Sequence, residues 1–392
     1  MVKSASLFSQ VLREIPRDEF ERLVAEHGAE RGAKGFSCWT QFVAMLFCQL
    51  GRADSLREIC NGLSCCVGKL VHLGVDRAPN KSTLSYANAH RPAALFEALL
   101  WRSMARLRAR EEGIGVRKAK FRFRSKLFSM DASVISLCLT LFPWAEFQRT
   151  KGAIKAHVVL DHDDYMPSWV LITEVKKHEA AVAKSVQFNP GSIVVMDRGY
   201  NDYTLFSRWT EQGVYFVTRM KDNAVFAVIE ERDVPHNRNI LADQTVRLTG
   251  ARADEKCQYL LRRVVVWDRE HDRQITLLTN HFHFGATTIA AVYKDRWEIE
   301  VFFKALKQNL KVKTFVGVSR NALLIQIWTA LIAMLIIKWL HHLSRAGWSL
   351  SNMSVMLRLN LFTYRDLMEW LHDPFGTPPI TPGSVQLSLP LR

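Results

Sequence analysis

The chain has 392 residues, of which 48% are hydrophobic and 23% are charged, and these values exclude a disordered or fibrous protein. Its 53 lysines and arginines outnumber 38 acidic residues and give a formal charge of +15, which favours a polyanionic partner, either nucleic acid or an anionic membrane. The seven cysteines show no metal-binding spacing, so we expect buried, reduced thiols. Early charges in the first twenty residues argue against a secretory signal and predict a cytoplasmic protein.

Residues 1–95 have the pattern of several short helices. Asp18 is a suitable N-cap for the segment that Gly28 ends, an apolar helical pattern stops at Gly51, and Pro92 closes the last segment. We therefore predict a helical N-terminal domain. Two roles are open for it: a helix-turn-helix-like bundle that binds DNA, or a scaffold that packs on a catalytic domain.

A basic run follows, and residues 96–126 are predicted to be a linker. Toward its end basic residues alternate with Phe121 and Phe123, as expected of an extended chain that follows nucleic-acid phosphates. A solvated linker is the alternative. The basic residues predicted to contact DNA here are Arg117, Lys118, Lys120, Arg122 and Arg124.

From residue 127 the pattern changes to strands, in the order three strands, helix, strand, helix. This order is the one that a ribonuclease-H-like α/β sheet requires. Asp131 falls within the first strand, and Asp197 follows the fourth strand at its carboxyl end, where ligand sites of α/β sheets collect. We predict a catalytic core of residues 127–218 and 286–345, with Asp131 and Asp197 close together.

The rest of the chain completes this arrangement. Residues 219–285 alternate in β fashion and predict a β-rich insertion, and residues 346–392 predict a helical segment with a proline-rich tail. The DHDD sequence at 161–164 is a rival metal site, but aspartates between two strands favour a turn. The apolar stretch 322–340 is long enough to cross a membrane, yet polar residues interrupt it, so we predict a buried helix and no membrane partner.

A charged stripe marks the segment 293–311. On one α-helix, at about 100° per residue, Tyr293, Arg296, Glu300 and Lys307 would fall within roughly 60° of arc. The alternative is a solvated face with an i,i+4 ion pair between Arg296 and Glu300. Two strand-borne aspartates and a helix-borne glutamate in a basic protein indicate a metal site that cuts nucleic acid.

These residues also resemble a known family. The string Y-x2-R-x3-E-x6-K at 293–307, with SMDAS around Asp131 and VVMDRGYNDY around Asp197, is similar to the motifs of the IS-four (insertion-sequence four) family of bacterial DDE transposases. The resemblance covers about 125–345. It implies an insertion-sequence transposase that cleaves DNA at element ends and transfers the strands into target DNA by a DDE two-metal mechanism.

The resemblance also implies site residues and partners. Asp131, Asp197 and Glu300 would be catalytic and hold two Mg²⁺ ions, which Mn²⁺ could replace, because hard cations prefer carboxylate oxygens. Tyr293, Arg296 and Lys307 would bind phosphates of the transposon end. The expected partners are the terminal inverted repeats of its own element, target DNA, and a second copy of the chain when DNA is bound.

Other residues and functions stay open at this point. Arg198, Arg219 and Lys221 are further candidates for DNA contact, with surface ion pairing as the alternative. Trp267 and Trp297 could stack on an unpaired base, although we expect both to be buried. A hydrolytic endonuclease of the same fold, or a transposase-derived DNA-binding protein without activity, are the competing functions.

Overall fold

The computed structural model describes residues 5–33, 35–66, 68–110, 113, 120–137, 142, 144, 146–148, 151–235, 239–250, 252–312 and 314–379. The chain divides between two separately packed units. One unit contains residues 1–114 and 305–392, and the other contains residues 115–304.

The secondary structure of the described residues begins helical, continues as strands and ends helical. The helices are α1 (Leu7–Leu12), α2 (Arg17–Glu26), α3 (Cys38–Gly51), α4 (Leu56–Ser64), α5 (Lys81–His90), α6 (Ala93–Arg108), α7 (Glu179–Ala183), α8 (Tyr203–Glu211), α9 (Ala253–Lys256), α10 (Ala286–Asp295), α11 (Trp297–Asn309), α12 (Arg320–Leu343), α13 (Leu350–Asn360) and α14 (Leu367–His372). The strands are β1 (Leu127–Leu137), β2 (Glu146–Gln148), β3 (Lys151–Asp161), β4 (Met166–Glu174), β5 (Ile193–Met196), β6 (Tyr215–Arg219), β7 (Phe226–Glu231), β8 (Ile240–Leu248), β9 (Leu261–Asp268) and β10 (Arg273–Thr279).

The core of the second unit is a sheet in which β4, β3, β1, β5 and β6 lie side by side. β3 is antiparallel to both β1 and β4, whereas β1, β5 and β6 run parallel to one another. Parallel neighbours need a crossover, and α7 and α8 lie in the two connections that lead to β5 and β6. The predicted ribonuclease-H-like α/β fold is confirmed.

The predicted β-rich insertion extends this same sheet. β10 pairs antiparallel with β6, and β9, β8 and β7 follow outward in that order, each antiparallel to its neighbour. The residues that follow β6 therefore add strands to the edge of the core sheet, where backbone N–H and C=O groups would otherwise stay unpaired.

The sheet buries both of its faces. In β5, Ile193 and Val195 contribute to the apolar cluster under α10, and Val194 and Met196 contribute to the cluster under α8, as the period-two alternation of a strand requires. In β1, Leu127 belongs to the α10 side. By the same alternation, the side chains of Ser129 and Asp131 also lie on that face of the sheet.

The first unit is helical, and α12 lies at its centre. The helix is apolar enough to cross a membrane by length and composition, yet 89% of its most apolar window is buried against other helices, among them α3, α5 and α6. The buried amide of Gln326 donates to the carbonyls of Lys311 and Thr314 and accepts from the N–H of Val316. The polar residue that interrupted the apolar pattern is thus satisfied, and the prediction of a buried helix is confirmed.

The two units group the chain differently from the predicted domain boundaries. The first part of the predicted linker 96–126 is helix α6, whose basic residues pair with acidic residues of the same unit, Arg102 with Glu26 at 2.8 Å and Arg110 with Glu14 at 3.0 Å. Residues 305–345, which we predicted to belong to the core, pack with the N-terminal helices. Periodicity indicates that a helix buries a face, but it does not indicate which partner covers that face.

Free thiols are found as predicted. The cysteines among the described residues form no disulfide, and all of these except Cys65 are buried. Burial raises the pKa of Cys48 to about 12, so this thiol stays protonated and behaves as a small apolar side chain.

A buried ion pair joins β8 to β9 in the extended sheet. The guanidinium of Arg262 donates to both carboxylate oxygens of Asp243 at 2.8 and 2.6 Å, and the two side chains are 3% and 4% exposed. The same guanidinium donates to backbone carbonyls that precede α10. This pair therefore connects the added strands to the start of the helix that covers the sheet.

We expect Asp243→Ala to lower the free energy of unfolding by about 3–5 kcal/mol, because it leaves a guanidinium buried without its counter-ion. Urea denaturation followed by tryptophan fluorescence measures this. The control is Asp222→Ala, which removes an exposed pair with Arg198 and should cost less than about 1 kcal/mol. Equal losses for the two variants would contradict the structural role of the buried pair.

Candidate active site

The first two predicted carboxylates lie on neighbouring parallel strands. Met130 of β1 is the register partner of Met196 of β5, so Asp131 and Asp197 each come directly after a paired residue. Neighbouring strands are about 4.8 Å apart. Asp197 is in extended conformation as β5 ends, with φ −77° and ψ 163°. The pairing brings the two aspartates together, although 66 positions separate them in the sequence.

Glu300 reaches the same edge on helix α11. Helix α10 packs on the sheet through Ile289 and Val292, and α11 begins directly after Arg296. At this junction the N–H of Arg296 donates to the carbonyl of Tyr293 at 3.2 Å, and the N–H of Ile299 donates to the carbonyl of Arg296 at 3.1 Å. These i,i+3 bonds tighten the turn. The predicted single helix over 293–307 is therefore wrong: two helices meet at Arg296.

Arg296 links the first and third carboxylates. Its guanidinium lies 2.7 Å from Oε1 of Glu300 and 3.9 Å from Oδ2 of Asp131. Its side chain is 14% exposed, against 23% for Asp131 and 31% for Glu300. The i,i+4 ion pair that was the alternative interpretation is present, but the same guanidinium also approaches the strand aspartate. The arginine therefore brings helix and strand carboxylates to one place.

The concentration of negative charge perturbs the site. Burial raises the pKa of Asp131 to about 6, with the charges of Glu300 and Asp197 acting in the same direction and those of Arg296 opposing them. The pKa of Arg296 is raised, because Tyr293, Glu300 and Asp131 outweigh the effect of its burial. A site of this kind stabilises bound cations, since a cation relieves the repulsion among the three carboxylates.

The donor set fits a hard divalent metal. Three carboxylates supply oxygen ligands of the type that Mg²⁺ and Mn²⁺ prefer. Among the described residues the ligand atoms that converge within 4.8 Å are those of Asp268, Glu270 and His271. That group is a mostly exposed turn between β9 and β10, where Asp268 already accepts a hydrogen bond from the His271 ring at 2.8 Å. Asp131, Asp197 and Glu300 do not form such a group among the described residues, so their role as metal ligands stays a prediction.

Tyr200 is a site residue that the sequence did not predict. It lies in the short 3-10 turn after Asp197, is 1% exposed, and its hydroxyl makes no hydrogen bond to the described residues. Burial raises its pKa, and the charges of Asp131, Glu179 and Asp197 add to the effect. An unpaired buried hydroxyl beside the carboxylates points to a role in the site. Tyr200 lies within the VVMDRGYNDY segment, which served only to place Asp197.

The predicted basic row is present in part. Tyr293 is partly buried, which raises its pKa, and the Arg296 guanidinium lies 5.8 Å from its ring centre. Lys307 follows Glu300 on α11 and is half-buried. Arg198 is exposed and pairs with Asp222 at 3.2 Å, and Lys221 donates to the carbonyl of Asn201 at 3.3 Å. Arg219 ends β6 and is half-buried.

Only part of the basic run before β1 lies within the described residues, and its contact with DNA stays a prediction. Arg117 and Lys118 lie outside the described residues. Lys120 pairs with the buried carboxylate of Asp295, so its charge is already neutralised within the protein. Arg122 and Arg124 are exposed. Between them Phe121 and Phe123 stack on each other with ring centres 5.0 Å apart, and Phe123 stacks on Phe284 at 4.8 Å. These aromatics serve packing.

Two further expectations have clear outcomes. The DHDD segment is a turn, as predicted: Asp161 accepts from the N–H of Asp163 at 3.0 Å, and Asp164 accepts from the N–H of Met166 at 2.9 Å.

The expected burial of Trp267 and Trp297 is wrong, since they are 36% and 61% exposed. Trp297 is the first residue of α11, directly after Arg296, and its side chain lies on the solvent-exposed face of that helix.

Comparisons with known proteins agree with this geometry. The family described as "Transposase DDE domain" matches residues 122–336, more than half of the 392 residues, and a "domain of unknown function" matches residues 3–76. A putative transposase, y4zB, of Sinorhizobium fredii is 31% identical over 78% of this chain and 83% of its own length. A probable transposase of insertion sequence element IS5377 of Geobacillus stearothermophilus is 28% identical over 64% of this chain and 67% of its own.

A more distant relative and a solved structure complete the set. A putative transposase of insertion sequence element IS4SA of Synechocystis is 23% identical over 74% of this chain and 81% of its own. A cryo-EM structure of a piggyBac transposase synaptic complex with hairpin DNA has a TM-score of 0.44 and 11% identity, covering 93% of this chain and 80% of that one. On the family match and the similarity to y4zB, the chain belongs to the DDE transposases of bacterial insertion sequences, DNA-binding enzymes that cleave and rejoin DNA with divalent metal ions.

Proposed function

We propose that this transposase cleaves DNA at the terminal inverted repeats of its own element and joins the freed ends to target DNA, with Asp131, Asp197 and Glu300 as its catalytic residues. The observation that carries this proposal is the juxtaposition at one sheet edge: two aspartates follow register-paired residues of β1 and β5, and Arg296 contacts both Glu300 and Asp131.

The three carboxylates would hold two Mg²⁺ ions, or Mn²⁺ in their place. When bound, such ions supply Lewis-acid catalysis and an activated water for displacement at the scissile phosphate. The protein contributes anions at fixed positions and a partly buried setting that strengthens their attraction for cations. A hydroxyl or thiol nucleophile from the protein is not required, because water and then the freed 3′-hydroxyl attack the phosphate directly.

Arg296 and Lys307 would bind phosphates that flank the scissile bond, with Tyr293 beside them. A guanidinium presents several N–H donors in a fixed plane, so Arg296 can bind a phosphate while it stays close to Glu300. Before DNA binds, its positive charge offsets the repulsion between these two carboxylates and lets them lie close together. The helix junction at Arg296 places the arginine and Glu300 on the same side.

DNA contact extends beyond this row. The excess of basic residues supplies a general attraction for phosphates, to which the exposed Arg122, Arg124, Arg198 and Lys221 contribute, with Arg219 near the sheet edge. The exposed indole of Trp297 is available to stack on an unpaired base. We assign recognition of the element end to residues 1–95. Pairing two element ends calls for two copies of the chain, so we propose a homodimer on DNA, acting at the bacterial nucleoid in the cytoplasm.

The carboxylate assignment is tested by Asp131→Ala, Asp197→Ala and Glu300→Ala. Each should abolish cleavage of a labelled terminal-repeat duplex while the affinity for that duplex, measured by anisotropy, stays within about twofold. We expect Mg²⁺ or Mn²⁺ to support cleavage and Ca²⁺ to support binding only, since Ca²⁺ accepts looser coordination than an in-line displacement needs.

The matched control is Asp268→Ala, which removes a carboxylate from the turn between β9 and β10 and should leave cleavage unchanged. Full activity in any of the three test variants, or in excess chelator, would refute the assignment. The same reactions should yield joined products with target DNA. Cleavage without strand transfer would instead identify a hydrolytic endonuclease.

The basic row has its own test. Arg296→Ala and Lys307→Ala should each reduce the salt dependence of binding by about one phosphate contact. Glu300→Gln should retain or increase the affinity, because it removes an anion next to the phosphate. Lys294→Ala, on the adjacent helix, removes an exposed lysine that pairs with Glu270 and serves as the control. If the two slopes equal that of wild type, the row is structural and Arg296 contributes only an ion pair of about 0.2–0.5 kcal/mol.

Tyr200→Phe should separate stability from activity. Removing a buried hydroxyl that has no partner among the described residues should leave the free energy of unfolding unchanged or raise it by up to about 1 kcal/mol. The cleavage rate should fall nonetheless, because we propose that this hydroxyl serves the carboxylate site. Tyr203→Phe, a partly buried tyrosine of the same apolar cluster, is the control. A Tyr200→Phe variant with wild-type activity would exclude the role.

A further inference from the structure

A buried chain of hydrogen bonds joins β1 to the end of α10. Nε2 of His162 lies 2.6 Å from the hydroxyl of Ser129, and Nδ1 of the same ring lies 2.6 Å from Oδ2 of Asp295. Ser129 is 0% exposed, and the side chains of His162 and Asp295 are 5% and 1% exposed. The three residues come from a strand, a turn and a helix end, separated by 33 and 133 positions in the sequence.

The carboxylate at the α10 end of this chain of hydrogen bonds, that of Asp295, is ionised. Burial opposes the charge of Asp295, but hydrogen bonds from His162 and Lys120 outweigh burial and hold its pKa below the usual range. The hydroxyl of Tyr165 also approaches Oδ2, at 3.5 Å. An ionised carboxylate only accepts hydrogen bonds, so Nδ1 of His162 carries a proton and donates. The other ring nitrogen, Nε2, forms the hydrogen bond with the hydroxyl of Ser129.

The order serine, histidine, aspartate is that of a hydrolytic triad, yet burial excludes a nucleophilic role. The hydroxyl of Ser129 lies within the sheet, under the turn that carries His162, and that turn is fixed by the N–H of His162 donating to the carbonyl of Leu127 at 3.0 Å. A substrate phosphate has no access to it. The bonds therefore act on the positions of the elements that they connect.

Those elements carry the catalytic residues. Ser129 precedes Asp131 by two positions on the same strand, so both side chains lie on the same face of the sheet. Asp295 directly precedes Arg296, which contacts Glu300 and Asp131. We propose that Ser129, His162 and Asp295 are positioning residues that hold the junction of α10 and α11 against β1 and so set the separation of Asp131 and Glu300. This inference rests on the proposed catalytic role of those two carboxylates.

The proposal depends on how metal affinity and reaction rate respond when the groups around an active site become mobile. A fully satisfied buried polar network is rigid, and removing one member leaves the others unpaired. Supporting hydrogen bonds around metal ligands affect metal affinity by about 10–100-fold in proteins generally. A displacement of about 1 Å at reacting groups costs roughly 100-fold in rate. Lys120, the basic residue that pairs with Asp295, belongs to the same network.

The test uses Ser129→Ala and His162→Asn in the full-length protein with a terminal-repeat duplex. His162→Asn keeps an amide donor near Asp295 and loses the bond to Ser129. Single-turnover cleavage at saturating enzyme should fall by about 10–100-fold, and the half-saturating Mg²⁺ concentration should rise by a similar factor. The dissociation constant for the duplex should stay within about twofold. Adding Ser129→Ala to His162→Asn should cause little further loss, because both break the same bond.

The control is Thr173→Val, which removes a hydroxyl from another buried histidine of this sheet, His157, whose Nε2 lies 3.1 Å from Oγ1 of Thr173. It should lower the melting temperature as much as Ser129→Ala does, without changing the Mg²⁺ dependence. If both variants shift that dependence equally, or neither does, the positioning role is refuted. If His162→Asn fails to fold, Ser129→Ala decides. Asp131→Ala separates the two proposals. Cleavage by Asp131→Ala refutes the catalytic assignment. If Asp131→Ala is inactive while Ser129→Ala cleaves at the wild-type rate, only this inference is refuted.

Discussion

The parallel pairing of β1 with β5 is the constraint on which the active site depends. Because these strands run in the same direction, the residues that follow a paired position emerge at the same edge, and Asp131 and Asp197 become neighbours. A shift of one residue in this register would send Asp131 to the other face of the sheet. The apolar alternation of β5, with Ile193 and Val194 on opposite faces, opposes such a shift. Catalytic geometry is thus specified by the burial of aliphatic side chains.

Grouping three carboxylates creates a repulsion that the fold must offset. Arg296 does so for Asp131 and Glu300, and its place at the junction of two helices allows one guanidinium to reach both. Burial is the main cause of the raised pKa of Asp131, with the charges of Glu300 and Asp197 adding to it and that of Arg296 opposing it. Under the proposed function, a bound cation would relieve the repulsion among these carboxylates.

The sequence was sufficient for the local features and insufficient for those that depend on packing. The strand order, the turn at 161–164 and the positions of Asp131, Asp197 and Glu300 follow from periodicity and motif spacing. The helix break at Arg296 does not, because all residues around it favour a helix and the i,i+3 bonds arise from tertiary packing. The contact of His162 with Asp295 spans 133 positions and leaves no periodic trace.

The sequence also does not reveal which basic residues are already paired with acidic residues in the folded protein. A run of lysines and arginines predicts attraction for DNA, but each one contributes to affinity only if its charge is free to meet a phosphate. Lys120 is paired with a buried carboxylate, and an exchange of that partner for DNA would leave Asp295 with only its hydrogen bonds from His162 and Tyr165. Arg122 and Arg124, in the same run, are exposed. Within one basic segment Lys120 is therefore paired with Asp295, whereas the exposed Arg122 and Arg124 are the members that we propose to contact DNA.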